Sequence, residues 1–246
     1  MRTALRLAAL TLAATLSFAA RADDAVTDAL QAAYAPYRAA LFRTNGKSQP
    51  DAQQAMSQAQ AAWKGLSERF ASQPPAPYDR DRAFGSTLAQ VAQVYDKAAA
   101  EIAAGKLPEA HETLEQARDL MAALRQRNGV VVFSDHMNAY HEQMEHVLTA
   151  GPGLLGGGGT NGTSSTSGGL TALALEVGAL QHLAGRLSSQ ADTSLRANPE
   201  FNTLLKAVQQ SVADLRAAVL AQDAAAAKAA LGKLKGPYSR LFLKFG

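Results

Sequence analysis

No cysteine occurs among the 246 residues. Its absence excludes disulfides, thiolate zinc sites, thiol catalysis, iron–sulfur clusters and covalently attached c-type haem. Aromatic residues make up only 6% of the chain and charged residues 18%, against 47% hydrophobic residues. Few aromatics and many alanines favour helices over a β-sandwich. A membrane-spanning run is missing too. The most apolar stretch, Leu7 to Ala20, has about 14 residues against the ~20 that a spanning helix needs.

That short run has the flanks of a secretory signal. Arg2 and Arg6 precede it, and Ala20-Arg21-Ala22 follows with small residues at both positions of an A-x-A cleavage site. Residues 1–22 therefore read as a signal peptide cleaved after Ala22, which predicts a periplasmic or secreted protein with no membrane span after cleavage. Removing Arg2, Arg6 and Arg21 cancels the formal net charge of +3, so the sequence pI of 9.2 is largely a property of the leader. The mature chain lacks the basic footprint of a nucleic-acid binder.

Beyond the leader, apolar residues recur at helical spacing. Val26, Leu30, Tyr34 and Leu41 form one stripe, and Met56, Ala59, Trp63, Leu66 and Phe70 a second. Phe84, Leu88, Val91, Tyr95 and Ile102 form a third, and Ala110, Leu114, Ala117, Met121 and Leu124 a fourth. Turn chemistry falls between them at Asn45-Gly46, Pro74-Pro75-Ala76-Pro77 and Gly105, with Pro108 suited to a first helical turn and Pro36 set to kink the first helix. The remaining chain repeats the plan from Phe133 to Leu241. Laid over Leu205–Gly246, Leu88–Gly129 needs no gap: Val91 falls on Val208, Leu114 on Leu231 and Gly129 on Gly246. The fold expected is all-α, with two tandem up-down four-helix-bundle units, 23–129 and 130–246, arising by internal duplication. A single irregular helical domain is the alternative. Residues 151–169, rich in Gly, Ser and Thr, read as a flexible loop. They lack the GK[ST] ending and the preceding strand of a phosphate-binding loop.

One segment concentrates possible chemistry. His136, Met137, His141, Met144 and His146 include three of the five histidines. Met137, His141 and Met144 can share one helical flank, and thioether with imidazole suits copper(I) or a haem axial position. These three are the candidate metal ligands. They align with Gln31, Ala35 and Arg38 of the first unit, so a site would belong to one half only. The competing reading makes Met137 and Met144 core residues and His136 and His141 rim residues.

Residues Phe84 to Gln116, above all Gly105-Lys106-Leu107-Pro108-Glu109-Ala110 followed by Glu115-Gln116, resemble the second helical hairpin of the soluble periplasmic cytochrome b family. The proline-bearing connection at 72–79 occupies the place of that family's middle loop. Asp135-His136-Met137 is similar to the family's first helix around its haem-ligating methionine. The resemblance implies a four-helix bundle in the periplasm, holding haem b non-covalently between a methionine on the first helix and a histidine late in the fourth. Only Met137 matches a ligand position. The histidine's place holds Arg125 in the first unit and Phe242 in the second.

Enzyme templates fail on spacing. His141 and His146 are five apart rather than the four of a zincin, no Glu-x-x-His occurs, and Ser134-Asp135-His136 are helix neighbours that cannot align as a triad. His111 and His182 read as solvated or capping. The basic stretch Lys228, Lys233, Lys235, Arg240 and Lys244 suits a last helix lying beside the acidic Asp135, Glu142 and Glu145. The functional expectation is an exported, non-enzymatic binding protein, without a cofactor, for a periplasmic protein or small ligand. The alternatives are a haem-binding electron carrier with unfamiliar ligation and a copper protein using helix 133–148.

Overall fold

The computed structural model describes residues 24–156 and 166–246; the expected signal peptide and residues 157–165 of the Gly/Ser/Thr-rich stretch lie outside them. Helix α1 (Ala25–Thr44) begins where Asp24 accepts hydrogen bonds from the backbone N–H groups of Val26 and Thr27, at 3.2 and 3.1 Å. It runs through Pro36 as one helix and ends at Asn45-Gly46. Helix α2 (Gln49–Phe70) follows, with Ser48 as its cap and Pro50 in its first turn, where the missing N–H costs nothing. The proline-bearing segment separates α2 from α3 (Phe84–Ala103), and α4 (Leu107–Arg127) completes the first half.

The second half comprises α5 (Phe133–Gly156), α6 (Thr166–Gln190), a short α7 (Thr193–Ala197), α8 (Pro199–Leu220), α9 (Ala224–Leu231) and α10 (Lys235–Phe245). Two details correct the sequence reading. Gly151-Pro152-Gly153 lies inside α5, and Thr166 to Gly169 inside α6, so the loop expected over 151–169 is helical at both ends. Gly151 packs closely on Leu231: a Cβ there would lie 2.7 Å from its Cδ1, so the leucine side chain would have to move. The last helix of this half is broken into α9 and α10, with Pro237 in the first turns of the second piece, a position proline tolerates. No strand occurs among the described residues.

In the first half α1, α2, α3 and α4 pack in sequence, and α1 meets α4 to close the ring. In the second, α5, α6 and α8 pack in sequence, and α9 and α10 bridge α8 back to α5. The burial stripes match position for position. Val26, Leu30, Ala33, Tyr37 and Ala40 answer to Phe133, Met137, Tyr140, Met144 and Val147; Ala52, Met56, Ala59, Trp63 and Leu66 answer to Leu173, Val177, Leu180, Ala184 and Leu187. This register places Met137, His141 and Met144 opposite Leu30, Tyr34 and Tyr37, one residue away from the alignment with Gln31, Ala35 and Arg38 expected from sequence. Burial decides it, because a one-residue shift rotates a helix by about 100° and would turn the core stripe outward. The hairpin turns match as well. Gly105 and Gln222 both adopt left-handed backbone (φ 76° and 57°), and Lys106 N–H donates to Glu101 O as Asp223 N–H does to Ala218 O.

The expected core stripes are buried throughout, except that Phe133 is only partly covered. Trp63, buried between α2 and α3, satisfies its indole by donating to Leu88 O at 2.9 Å. The two halves then join along a seam of α1 and α4 against α5 and α10. Its centre is Arg125, 2% exposed, which is ion-paired to Asp135 at the start of α5. The Arg125 guanidinium carbon stands 5.8 Å from the centroid of the Tyr34 ring. Tyr34 donates to Asn138 Oδ1 at 3.3 Å and meets Phe242 edge-on, centroids 6.4 Å apart.

Removing one partner of a buried ion pair strands the other charge. Asp135→Ala should therefore cost about 3–5 kcal/mol in urea unfolding. The double variant Asp135→Ala, Arg125→Leu should regain a large part of that loss, since the stranded charge is gone. A double variant no more stable than the single one would show that the cost lies elsewhere, in the bond from Val132 N–H to Asp135 Oδ2.

Candidate functional site: a polar cleft at the seam

A cleft of about 460 Å³ opens where the C-terminal turn of α1, the middle of α4, the middle of α5 and the N-terminal half of α10 converge. Its charged and imidazole groups are His111, Glu112, Glu115 and Arg118 from the first half and His141, Glu142, Glu145 and Lys235 from the second, with Asn45 and Ser239 beside them. Leu41, Phe42, Tyr238 and Phe242 supply the apolar surface. Each polar group is placed by its helix. His111, Glu115 and Arg118 recur at spacings of four and three on α4, as His141 and Glu145 do on α5, so each set shares a face.

The hydrogen bonds fix the states of both rings. Arg118 Nη1 lies 2.7 Å from His141 Nδ1, and a guanidinium only donates, so Nδ1 carries the lone pair. The His141 Nε2–H is then left for Glu145 Oε1, 3.4 Å away. The His141 ring also stacks on Tyr238, interplanar angle 2° and centroids 5.2 Å apart. His111 has the opposite tautomer. Its Nδ1–H donates to Leu41 O at 3.1 Å, leaving Nε2 to accept from Asn45 Nδ2 at 3.2 Å.

Each half pairs its own cation in the cleft, and Arg118 reaches across the seam to His141. Arg118 is ion-paired to Glu115, and Lys235 Nζ lies 3.2 Å from Glu145. The adjacent His141 ring and then Lys235 hold the Glu145 carboxyl down at about 2, against the upward push of burial. Burial lowers His111, opposed by Glu115, and burial and Arg186 lower His136.

The residues singled out from sequence meet different fates. Met137 and Met144 are both 0% exposed on the core stripe of the second half. His141 stands at the seam with both ring nitrogens engaged, and the guanidinium donating to Nδ1 opposes a cation at that atom. His146 lies outside the cleft, 3.4 Å from Glu176, and His136 faces Arg186 at 3.4 Å. Haem in the arrangement implied by the cytochrome resemblance does not fit. The two places for its histidine hold Arg125, committed to Asp135, and Phe242, packed between Tyr34 and Tyr238, and neither can ligate iron. Among the described residues no group of three or more His, Asp and Glu is gathered as for a metal ion.

His111 is half-buried rather than solvated, and its Nδ1–H caps the last turn of α1 at Leu41 O. Lys235 does reach the acidic α5 through Glu145, whereas Lys244 pairs with Glu200 on α8. Glu115, Arg118 and Tyr238 were not singled out as polar site groups from sequence. One signal was present: Arg118 and Arg125 flank the apolar stripe of α4, where a charge needs a partner from another element. Comparisons with protein-family models, curated proteins and solved structures returned no match.

The lowered groups set a pH dependence. His111 and His136 protonate more readily in the unfolded chain, so stability attributable to them is present above about pH 6.5 and declines as pH falls towards their folded values. Glu145 contributes stability above its ordinary value of 4.5, lost as pH falls towards 2. Urea midpoints should therefore fall in two stages on acidification, and His111→Gln should weaken the upper stage. An unchanged upper stage in that variant would assign it to other groups.

Proposed function

We propose that this chain is an exported, non-enzymatic binding protein that holds a small polar ligand in the seam cleft. The observation that carries the reading is the meeting of His111, Glu115 and Arg118 with His141, Glu145 and Lys235 in one solvent-open cleft between the halves. A volume of about 460 Å³ lies within the range of small-molecule sites, roughly 300–1,000 Å³. Tautomers fixed by neighbours preorganise the lining, and preorganisation reduces the cost of ordering on binding. The same fixation argues against catalysis, because His141 has no free nitrogen to serve as a base. Ser239, the hydroxyl in the cleft, donates to Lys235 O at 2.9 Å. Export rests on the basic, apolar and A-x-A succession of residues 1–22. The matched stripes and turns support descent of both halves from one four-helix unit, and the resemblance to periplasmic b-type cytochromes accords with that unit and compartment without their haem pair.

The test is to purify the protein from the exported fraction of its own host and record a visible spectrum, a metal analysis and a native mass spectrum. A small molecule should accompany wild type and be lost when Ser239→Trp fills the cleft. A haem Soret band, or stoichiometric copper lost in His141→Ala, would replace this reading with the electron-carrier or copper alternative. A wild type that carries nothing and gains no added small molecule would sink it.

A further inference from the structure

A second opening along the seam points to a ligand of defined charge. A cleft of about 640 Å³ lies beside the N-terminal part of α1, the 131–134 junction, α7 and the end of α10. Arg38 lines it. Arg38 is half-buried, its Nε is buried without a hydrogen-bond partner, and no carboxylate among the described residues pairs with it. Its one close companion is the face of the Tyr34 ring, 5.8 Å from the guanidinium carbon. Burial lowers Arg38 from its ordinary value, the mark of a cation short of compensation.

The fold explains why no internal carboxylate reaches it. The position that answers Arg38 in the second half is Glu145, which finds Lys235 on the neighbouring helix. The first-half counterpart of Lys235 is Arg118, another cation, already held by Glu115. The first half therefore has two cations at the positions where the second half has an ion pair. By contrast, the more deeply buried Arg118 and Arg125 each have a carboxylate.

We propose that Arg38 is the anion-holding group of a site for a small organic carboxylate. A guanidinium presents a planar fork that matches a carboxylate, and a half-desolvated fork gains most from it. Tyr34 and Phe245 offer ring surface in the same cleft for an apolar body. Asp24 and Asp28 also line the cleft, but lie about 21 and 15 Å back along α1 at 1.5 Å rise per residue, beyond the physiological screening length of about 8 Å. Asp192, which lines it from the start of α7, accepts from the Leu195 N–H and the Ser194 hydroxyl. This assignment concerns a different cleft from the one carrying the binding reading above, and either can fail without the other.

The probes are acetate, benzoate and phenylacetate, with benzamide as the uncharged control and inorganic phosphate as the competing anion, titrated by calorimetry into the purified protein. Benzoate or phenylacetate should bind saturably and benzamide should not. Arg38→Gln should weaken binding about tenfold or more, the loss of one charge-assisted pair, while Arg38→Lys retains part of it. A stability measurement guards against misfolding. In carboxylate-free buffer Arg38→Met should melt no lower than wild type, because it removes an uncompensated charge. Absence of carboxylate binding, phosphate binding alone, equal binding by Arg38→Gln, or a lower melting temperature for Arg38→Met would each overturn the proposal.

Discussion

The buried Arg125 guanidinium is the constraint around which the two halves are arranged. A cation at 2% exposure is tolerable only when another group neutralises it, and no carboxylate of its own bundle does so. Asp135 comes from the first turn of the next half, so folding of one bundle about Arg125 requires the other to be docked. The same residue sits against the Tyr34 ring, and Tyr34 in turn bonds Asn138. Burial pushes Tyr34 up to about 12, so its hydroxyl remains a donor across the accessible pH range. The seam is consequently held by directional contacts as well as apolar area.

That geometry leaves the openings. Helices α1 and α10 touch through Tyr34 and Phe242, and the two clefts flank this contact, one towards the end of α1 and the other towards its start. In the first, each half pairs its own charges, and the bond from Arg118 to His141 spans the gap, which makes the lining depend on docking. In the second, a cation from one half looks onto the other without a partner. Polar clefts at the junction of two packed units are places where ligands commonly bind, since both walls can contribute without disturbing either core.

Much of the helical plan was legible in the sequence because apolar periodicity and turn residues act locally. Asp24, Ser48 and Asn198 cap helices as their chemistry dictates, Gly105 takes the left-handed turn, and the stripes from Val26 to Leu241 are buried. The limits of α5 were less legible. Gly151-Pro152-Gly153 carries loop chemistry, yet it is helical and packs at Gly151 against Leu231, far along the chain. The seam was the least legible part. Arg118 and Arg125 flank an apolar stripe, yet their partners His141 and Asp135 belong to another bundle, and no local pattern specifies which faces of two bundles meet.

The matched registers make the side-chain differences at the seam intelligible. Several positions at the seam differ in chemistry between the halves. Arg38 answers to Glu145, Tyr34 to His141, and Arg125 to Phe242, while the stripes facing each bundle's own core keep their apolar character. Asp28 and Asp135 are both acidic, but only Asp135 meets a buried arginine, and the position answering Arg125 holds Phe242. The contact between the halves is therefore asymmetric, with ion pairs inside each half lining one cleft and a cation without a carboxylate partner at the other.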